Sequence, residues 1–375
     1  MMNTEALYER YHRQIILKDF GETGQQKLLA AKVLVVGAGG LGCPALQYLT
    51  AAGVGTIGIV DHDVVSLSNL HRQTLYSVDD IGKFKVQRAA TQLRKLNPDI
   101  NIECHNERLT ARNAAGIIGL YDYILDGSDN FPTRYLVNDV CVLLDKVLVY
   151  GAINQYEGQV ALFNCKAFAG ETPVNYRDLF PESPAQDEVP NCEEAGVLGV
   201  VPGIIGSMIA NETIKLITGI GEPLINRLLT FDVRNNRLHE FELTKRSGTR
   251  AMIPEDLNAL QNSDYDWSCA PLSKFEIGVD QLDKMLQTED VTVIDVRENL
   301  EQPRIDQFEH IEIPLSRLQD AARELKTNTI VLFCQSGMRS RQGAHLLDKI
   351  FGGSKTIYSL TGGITAWLNR QKEIA

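Results

Sequence analysis

The sequence has no Cys-x-x-Cys pair, although it has seven cysteines, at 43, 104, 141, 165, 192, 269 and 334. An odd number without paired spacing, in a chain of 375 residues, is not a disulfide framework and reads as a reduced compartment. Nor is there a basic excess: 37 Lys and Arg face 48 Asp and Glu, for a formal net charge of −11. That balance argues against a nucleic-acid partner. No apolar run approaches the length of a membrane span. Residues 5–18 mix charge with aromatics where a secretory signal would be apolar. The expectation is a cytoplasmic protein with no membrane partner. Repeats and low-complexity tracts are also missing.

The length allows two or three domains, each with its own core. Residues 32–42, Lys-Val-Leu-Val-Val-Gly-Ala-Gly-Gly-Leu-Gly, organise the first. Val33 to Val36 form an uninterrupted apolar run, as in a strand buried on both faces of a parallel sheet. Gly37, Gly39, Gly40 and Gly42 follow, and helical spacing begins at Cys43. A strand, a glycine turn and a helix N-terminus together favour a phosphate, through bare N–H groups and the helix dipole. A tight turn without a ligand would have the same glycines.

The polar residues downstream favour the ligand. Strand 56–60 ends at Asp61, where an open α/β sheet places a ribose-binding acid, although an Asp there can also cap the next element. Asn69, Arg72 and Lys85 then cluster after that strand. The cations Arg72 and Lys85 suit a triphosphate, whose charge must be neutralised as pyrophosphate leaves; a solvated helix face is the plainer reading of Lys85. Asp129 ends the stretch after strand 121–126, where a carboxylate can hold Mg²⁺ on nucleotide phosphates. From Asn164 to Asn191 the chain is irregular, with prolines at 173, 181, 184 and 190, and so long a stretch is usually functional or disordered. A helix over 203–218 and hairpin strands near 226–232 and 237–243 close the domain. Residues 246–272 read as a linker. Strand and helix then alternate from about 273 to 375.

Taken together, Arg13, Gly37-Ala-Gly39-Gly40-Leu-Gly42, Asp61, Ser68-Asn69-Leu-His-Arg72, Lys85 and Asp129-Asn130 resemble the ubiquitin-activating-enzyme superfamily, and within it the bacterial molybdopterin-synthase and thiamine sulfur-carrier adenylyltransferases. Asp295-Val-Arg297, Cys334-Gln-Ser-Gly-Met-Arg-Ser340 and Gly362-Gly-Ile-Thr-Ala-Trp367 resemble a rhodanese. The resemblance implies a Rossmann-like, doubly wound, mostly parallel sheet with an antiparallel extension over 1–245, and a smaller α/β sulfurtransferase domain over 273–375. It implies that ATP, with Mg²⁺, adenylates the C-terminal glycine of a small ubiquitin-like sulfur carrier ending in Gly-Gly. Gly37, Gly39, Gly40, Gly42, Ser68, Asn69 and Asn130 would bind nucleotide beside Asp61, Arg72, Lys85 and Asp129. Arg13 would act as an arginine finger from the partner subunit of a homodimer. Cys192, in Cys-Glu-Glu-Ala-Gly, would link covalently to the carrier, and an upstream donor would supply the sulfur.

The turn from Cys334 into the following helix, read on its own residues, suits an anionic sulfur: N–H groups of a curled loop and a helix N-terminus, with Arg339 nearby, favour thiolate and persulfide. A buried cysteine in an ordinary turn is the plainer alternative. One family feature is missing. Relatives hold a structural zinc with two Cys-x-x-Cys pairs, but here the text is Asn175-Tyr-Arg-Asp178 and Lys245-Arg-Ser-Gly-Thr-Arg250. Hard oxygen groups replace thiolates poorly at a tetrahedral sulfur site, so no zinc is expected. Two other readings keep the fold. One activates a tRNA-linked carboxylate, against which the acidic balance counts. The other is a carrier-docking protein without catalysis, against which Arg13, Arg72, Lys85 and Asp129 count.

Overall fold

The computed structural model describes residues 4–166, 173–182, 196–265, 275–288, 290–298 and 301–374. These fall into two compact units that divide after Tyr265.

The first unit opens with helices α1 (Thr4–Ile15) and α2 (Gly21–Ala30), followed by β1 (Lys32–Val36), α3 (Gly42–Ala52) and β2 (Thr56–Val60). Next come α4 (Lys85–Leu96), β3 (Asn101–His105), α5 (Ala114–Ile118), β4 (Tyr123–Asp126), α6 (Phe131–Leu143) and β5 (Val147–Asn154). Then β6 (Glu157–Phe163), the short α7 (Tyr176–Leu179), α8 (Val200–Thr218), β7 (Arg227–Asp232), β8 (Arg237–Glu242) and α9 (Leu257–Gln261) complete it. The sheet has eight strands in the order β3-β2-β1-β4-β5-β6-β7-β8. It is parallel from β3 to β5 and antiparallel from β5 to β8.

The apolar run of β1 is central, and Val33, Leu34 and Val35 are fully buried. Helices on both faces are what such a strand needs. Helix α8 is 19 residues long and apolar enough by composition to cross a membrane. It is the one described segment that departs from the expectation of no such run, and it lies against the sheet with Val201, Ile205, Ile209 and Ile217 buried. Edge strand β8 is exposed along its whole length.

The stretch expected to be a linker is partly structured. Residues 249–252 form a 3₁₀ turn, 257–261 form α9, and Tyr265 is buried with its hydroxyl donating to Asp139 at 2.6 Å. Two buried apolar anchors, Ile253 and Leu260, give this polar segment its hold on the first unit.

The second unit contains β9 (Glu276–Ile277), α10 (Val279–Thr288), β10 (Val291–Asp295), β11 (Ile311–Glu312), α11 (Leu318–Ala321), β12 (Thr329–Phe333), α12 (Met338–Phe351), β13 (Thr356–Leu360) and α13 (Gly363–Ile374). Its sheet is parallel, in the order β11-β10-β12-β13-β9. Central strand β12 is buried from Ile330 to Phe333, and its end carries Cys334.

Candidate active site

The crossing from β1 to α3 is tight. Gly37 has φ +88°, in the left-handed region that glycine favours. Gly42 is fixed by space: a Cβ there would lie 2.0 Å from the Gly37 carbonyl oxygen. Leu41, the N-cap of α3, offers no side-chain acceptor, which leaves the first turn of the helix open to an anion.

This turn floors an open cleft of about 330 Å³ at the carboxyl ends of the parallel strands. Gly37, Gly39, Gly40, Asp61, Arg72, Lys85, Asp129 and Asn130 all line it. Asp61 braces the turn, one oxygen accepting from Ala38 N–H and the other from Asp63 N–H, each at 2.8 Å. Each oxygen keeps a lone pair for a ligand hydroxyl. Lys85 opens α4 and is buried, its ammonium 2.8 Å from Asp63. Burial alone would lower its pKa; the carboxylates of Asp61 and Asp63 outweigh that and hold it above the usual lysine range. It is a permanently charged cation in a partly desolvated cleft, where its field is least screened.

Asp129 is exposed on the loop after β4. Asn130 both lines the cleft and caps α6, its side-chain oxygen accepting from Thr133 N–H at 3.0 Å. Asp61, His62 and Asp63 bring a ligand atom each within 4.8 Å of one another, but the Lys85 ammonium beside Asp63 places a cation at this cluster already.

Three residues expected to bind nucleotide are not among those lining the cleft: Gly42, which is packed against the Gly37 carbonyl, and Asn69 and Ser68. Asn69 is buried and turned into its own 3₁₀ turn, its side-chain oxygen accepting from Ser66 N–H. Ser68 is exposed with its hydroxyl 2.9 Å from that of Ser66, while its carbonyl accepts from Arg72. They shape the turn that presents Arg72 and Gln73. Gln73 was not expected. It is buried, lines the cleft, and its side-chain oxygen has no hydrogen-bond partner. Arg134 also lines the cleft, bonded to the Ser128 carbonyl at 3.0 Å. Adjacency to Arg72, and one helical turn from Asn130, were the available signals for these two. Arg13 is exposed at the end of α1 and is not part of its own chain's cleft. Cys192 lies outside the described residues.

The positions where relatives carry zinc ligands are filled by a hydrogen-bonded clip. Asp178 accepts from the backbone and side-chain amide of Asn175, each at 2.8 Å, from Arg246 N–H at 3.1 Å and from the Thr249 hydroxyl. Lys245 stands 3.9 Å away. Both carboxylate oxygens are thereby committed, so this donor set does not fit a thiolate-type zinc site.

In the second unit the sulfur of Cys334 is buried and receives the Gly337 N–H at 3.1 Å, with the Ser340 hydroxyl oxygen 3.8 Å away. Gly337, at φ +97°, caps α12. The start of α13 packs directly on this loop. Ile364 N–H donates to the Cys334 carbonyl at 2.9 Å, and a Cβ on Gly363 would come within 2.3 Å of the same oxygen. The guanidinium of Arg339 is held by Glu301, one arm at 2.7 Å. That pairing holds the Glu301 carboxyl below the usual carboxylate range. Fully buried Arg297 pairs with Asp295 and donates to Gln335 of the loop at 3.3 Å.

A glycine-floored cleft lined by Asp61, Arg72 and Lys85 on one unit and a cysteine cradle on the other are the sites of an adenylyltransferase joined to a sulfurtransferase, the class to which comparison with known proteins assigns the chain. Residues 11–251 match the ThiF family and residues 278–370 a rhodanese-like domain, and the chain belongs to the ThiF family. Over 253 residues it is 52% identical to a sulfur carrier protein adenylyltransferase of Thermus thermophilus, covering 68% of this chain and 93% of that one. A probable adenylyltransferase/sulfurtransferase MoeZ of Mycobacterium tuberculosis is 40% identical over 97% of this chain and 93% of its own. The adenylyltransferase and sulfurtransferase MOCS3 of Drosophila grimshawi is 38% identical over 97% and 84%. Among solved structures, E. coli MccB with SeMet MccA shares the fold of the first unit, with a TM-score of 0.56 and 21% identity over 66% of this chain and 74% of that one.

Proposed function

We propose that the cleft of the first unit uses ATP to adenylate the C-terminal glycine of a ubiquitin-like sulfur-carrier protein ending in Gly-Gly, and that Cys334 supplies the sulfur as a persulfide. The convergence of Asp61, Arg72, Lys85 and Asp129 on one glycine turn carries this reading. The carrier's carboxylate attacks the α-phosphorus, the bond to the β-phosphate breaks, and pyrophosphate leaves with the electron pair. Arg72 and Lys85 neutralise the charge that builds on the departing phosphates. Asp61 holds ribose hydroxyls. Asp129 would hold Mg²⁺, which would add its charge to the same neutralisation. The Cys192 thiolate displaces AMP from the acyl-adenylate to form a thioester with the carrier, and the outer persulfide sulfur of Cys334 displaces that thiolate in turn. A small-molecule thiol then attacks the Cys334 sulfur, the carrier leaves as a thiocarboxylate with the electron pair of the S–S bond, and a second thiol frees Cys334 for reloading by an upstream donor. Asn175 and Asp178 do the bridging work of a zinc site without the metal.

The protein acts in the cytoplasm as a homodimer in which Arg13 enters the partner's cleft. An exposed guanidinium outside its own site supports that reading, since guanidinium is the group suited to bridging phosphate oxygens. Mixing Arg13→Ala with Asp129→Ala protein should restore part of the activity through one intact hybrid site; no recovery in confirmed heterodimers would count against a trans role.

ATP–pyrophosphate exchange tests the main reading. Exchange should depend on a carrier with an intact Gly-Gly end and stop when the terminal glycine is removed. Exchange indifferent to the carrier would sink it.

A further inference from the structure

Two serines behind Cys334 form a chain of hydroxyls. Ser340, in the first turn of α12, and Ser359, on β13, place their hydroxyl oxygens 2.8 Å apart. Ser340 Oγ also lies 3.8 Å from Cys334 Sγ and 3.0 Å from the Gly337 carbonyl. Ser359 Oγ is 3.4 Å from that carbonyl. Cys334 and Ser340 are fully buried and Ser359 is 1% exposed, so water does not compete.

A hydroxyl has one proton to give. Ser340 has three acceptors within reach, the sulfur, the Gly337 carbonyl and Ser359. When Ser359 donates to Ser340, the Ser340 proton can turn to only two of them. With a neutral thiol the carbonyl is the better acceptor. With a thiolate or persulfide the anion is, because hydrogen bonds to charged groups are the stronger ones. We propose that Ser340 is a positioning residue whose proton moves from the Gly337 carbonyl to the Cys334 sulfur when that sulfur is anionic, and that Ser359 enforces the choice by donating to Ser340.

The proposal rests on the reading of Cys334 as the sulfur carrier. Loading is the step it serves: the Cys334 thiolate attacks the outer sulfur of thiosulfate, the S–S bond breaks, sulfite leaves with the electron pair, and the negative charge passes to the new outer sulfur. The inner sulfur is anionic before this step, which is when the Ser340 proton is needed. The charged groups packed around the loop are themselves paired: Arg339 with Glu301, Arg297 with Asp295, and Arg341 with Glu276. They leave the two hydroxyls as neutral groups able to reorient.

The test reads Cys334 alone, by mass spectrometry of its peptide after timed alkylation with iodoacetamide across pH, in the full-length protein. Ser340→Ala should move the midpoint of the rate profile up by about one pH unit, a tenfold loss of thiolate at neutral pH. Ser359→Ala should move it the same way by less. In the double variant the Ser359 change should add nothing, because it acts through Ser340. Ser340→Thr should restore the wild-type midpoint and Ser340→Val should not, which covers the case in which alanine disturbs folding. ATP–pyrophosphate exchange should stay at the wild-type level throughout. An unmoved midpoint in Ser340→Ala, or an undiminished Ser359→Ala effect in its background, overturns the proposal. Persulfide found on a cysteine other than Cys334 instead overturns the reading beneath it, and the alkylation profile is still measured on Cys334.

Discussion

After β1 the chain makes a turn of five residues, three of them glycine, and enters α3 at a fourth, Gly42; after β12 it makes a turn with one glycine and enters α12. Both turns leave the carboxyl end of a buried parallel strand, and on the proposed function both aim a helix N-terminus at an anion. On that reading the first holds a charge brought from outside. It therefore keeps side chains out of the way, as Gly42 shows, and sets its cations further off on Arg72 and Lys85. The second, on the same proposal, holds a charge that its own first residue acquires. It needs fewer glycines, because the ligand is covalently in place, and it uses a neighbouring N–H and hydroxyl. One kind of turn therefore serves a diffusible anion or a resident one, according to where the charge originates.

That contrast can be broken at either turn. The largest effect is expected from Cys334→Ser, which should abolish persulfide formation and sulfurtransferase activity with thiosulfate while ATP–pyrophosphate exchange stays within about twofold of wild type. Sulfur transfer surviving in this variant would remove the resident-anion half of the comparison. Lys85→Ala should cut exchange by roughly 10²-fold, as loss of one transition-state cation does, and leave persulfide loading intact. If both activities fell together, the two turns would not be independent.

The smallest effect concerns Glu301. Its carboxyl is held low by Arg339, so its contribution to stability is present above the unfolded value, near 4.3. The contribution is lost as pH falls through the still lower folded value. Glu301→Gln should therefore melt below wild type at neutral pH, with the gap closing in acid. A gap that persists in acid would show that packing, not charge, makes the pair matter.

Contiguous motifs were the legible part of this chain. The glycine turn and the Cys334 turn were readable because the residues that trace each turn are adjacent in sequence, although those that brace it, Asp61 for the one and Ile364 for the other, are not. Asp61, Lys85 and Asp129 were readable because each stands at the end of a strand or the start of a helix. The facing of Asn69 was not legible, because a motif records which residues recur together and not which way each one faces; its side-chain oxygen closes the turn that presents Arg72. Gln73 and Ser359 carried no pattern of their own. Strands β9 and β11, two residues each, have no periodicity to read and exist only through their neighbours' hydrogen bonds. The missing thiolates near 175 and 245 were plain in the sequence. What took their place was not, since the Asp178 clip joins segments about 70 residues apart in the chain.

That clip has a consequence for assembly. A site held by an ion is completed in two events, folding and loading, and the second depends on supply. Asp178 closes on Arg246 and Thr249 in the same act that brings the two segments together. A chelator finds nothing in it to extract, and in a protein built to carry reactive sulfur it presents no thiolate to be oxidised or persulfidated by mistake.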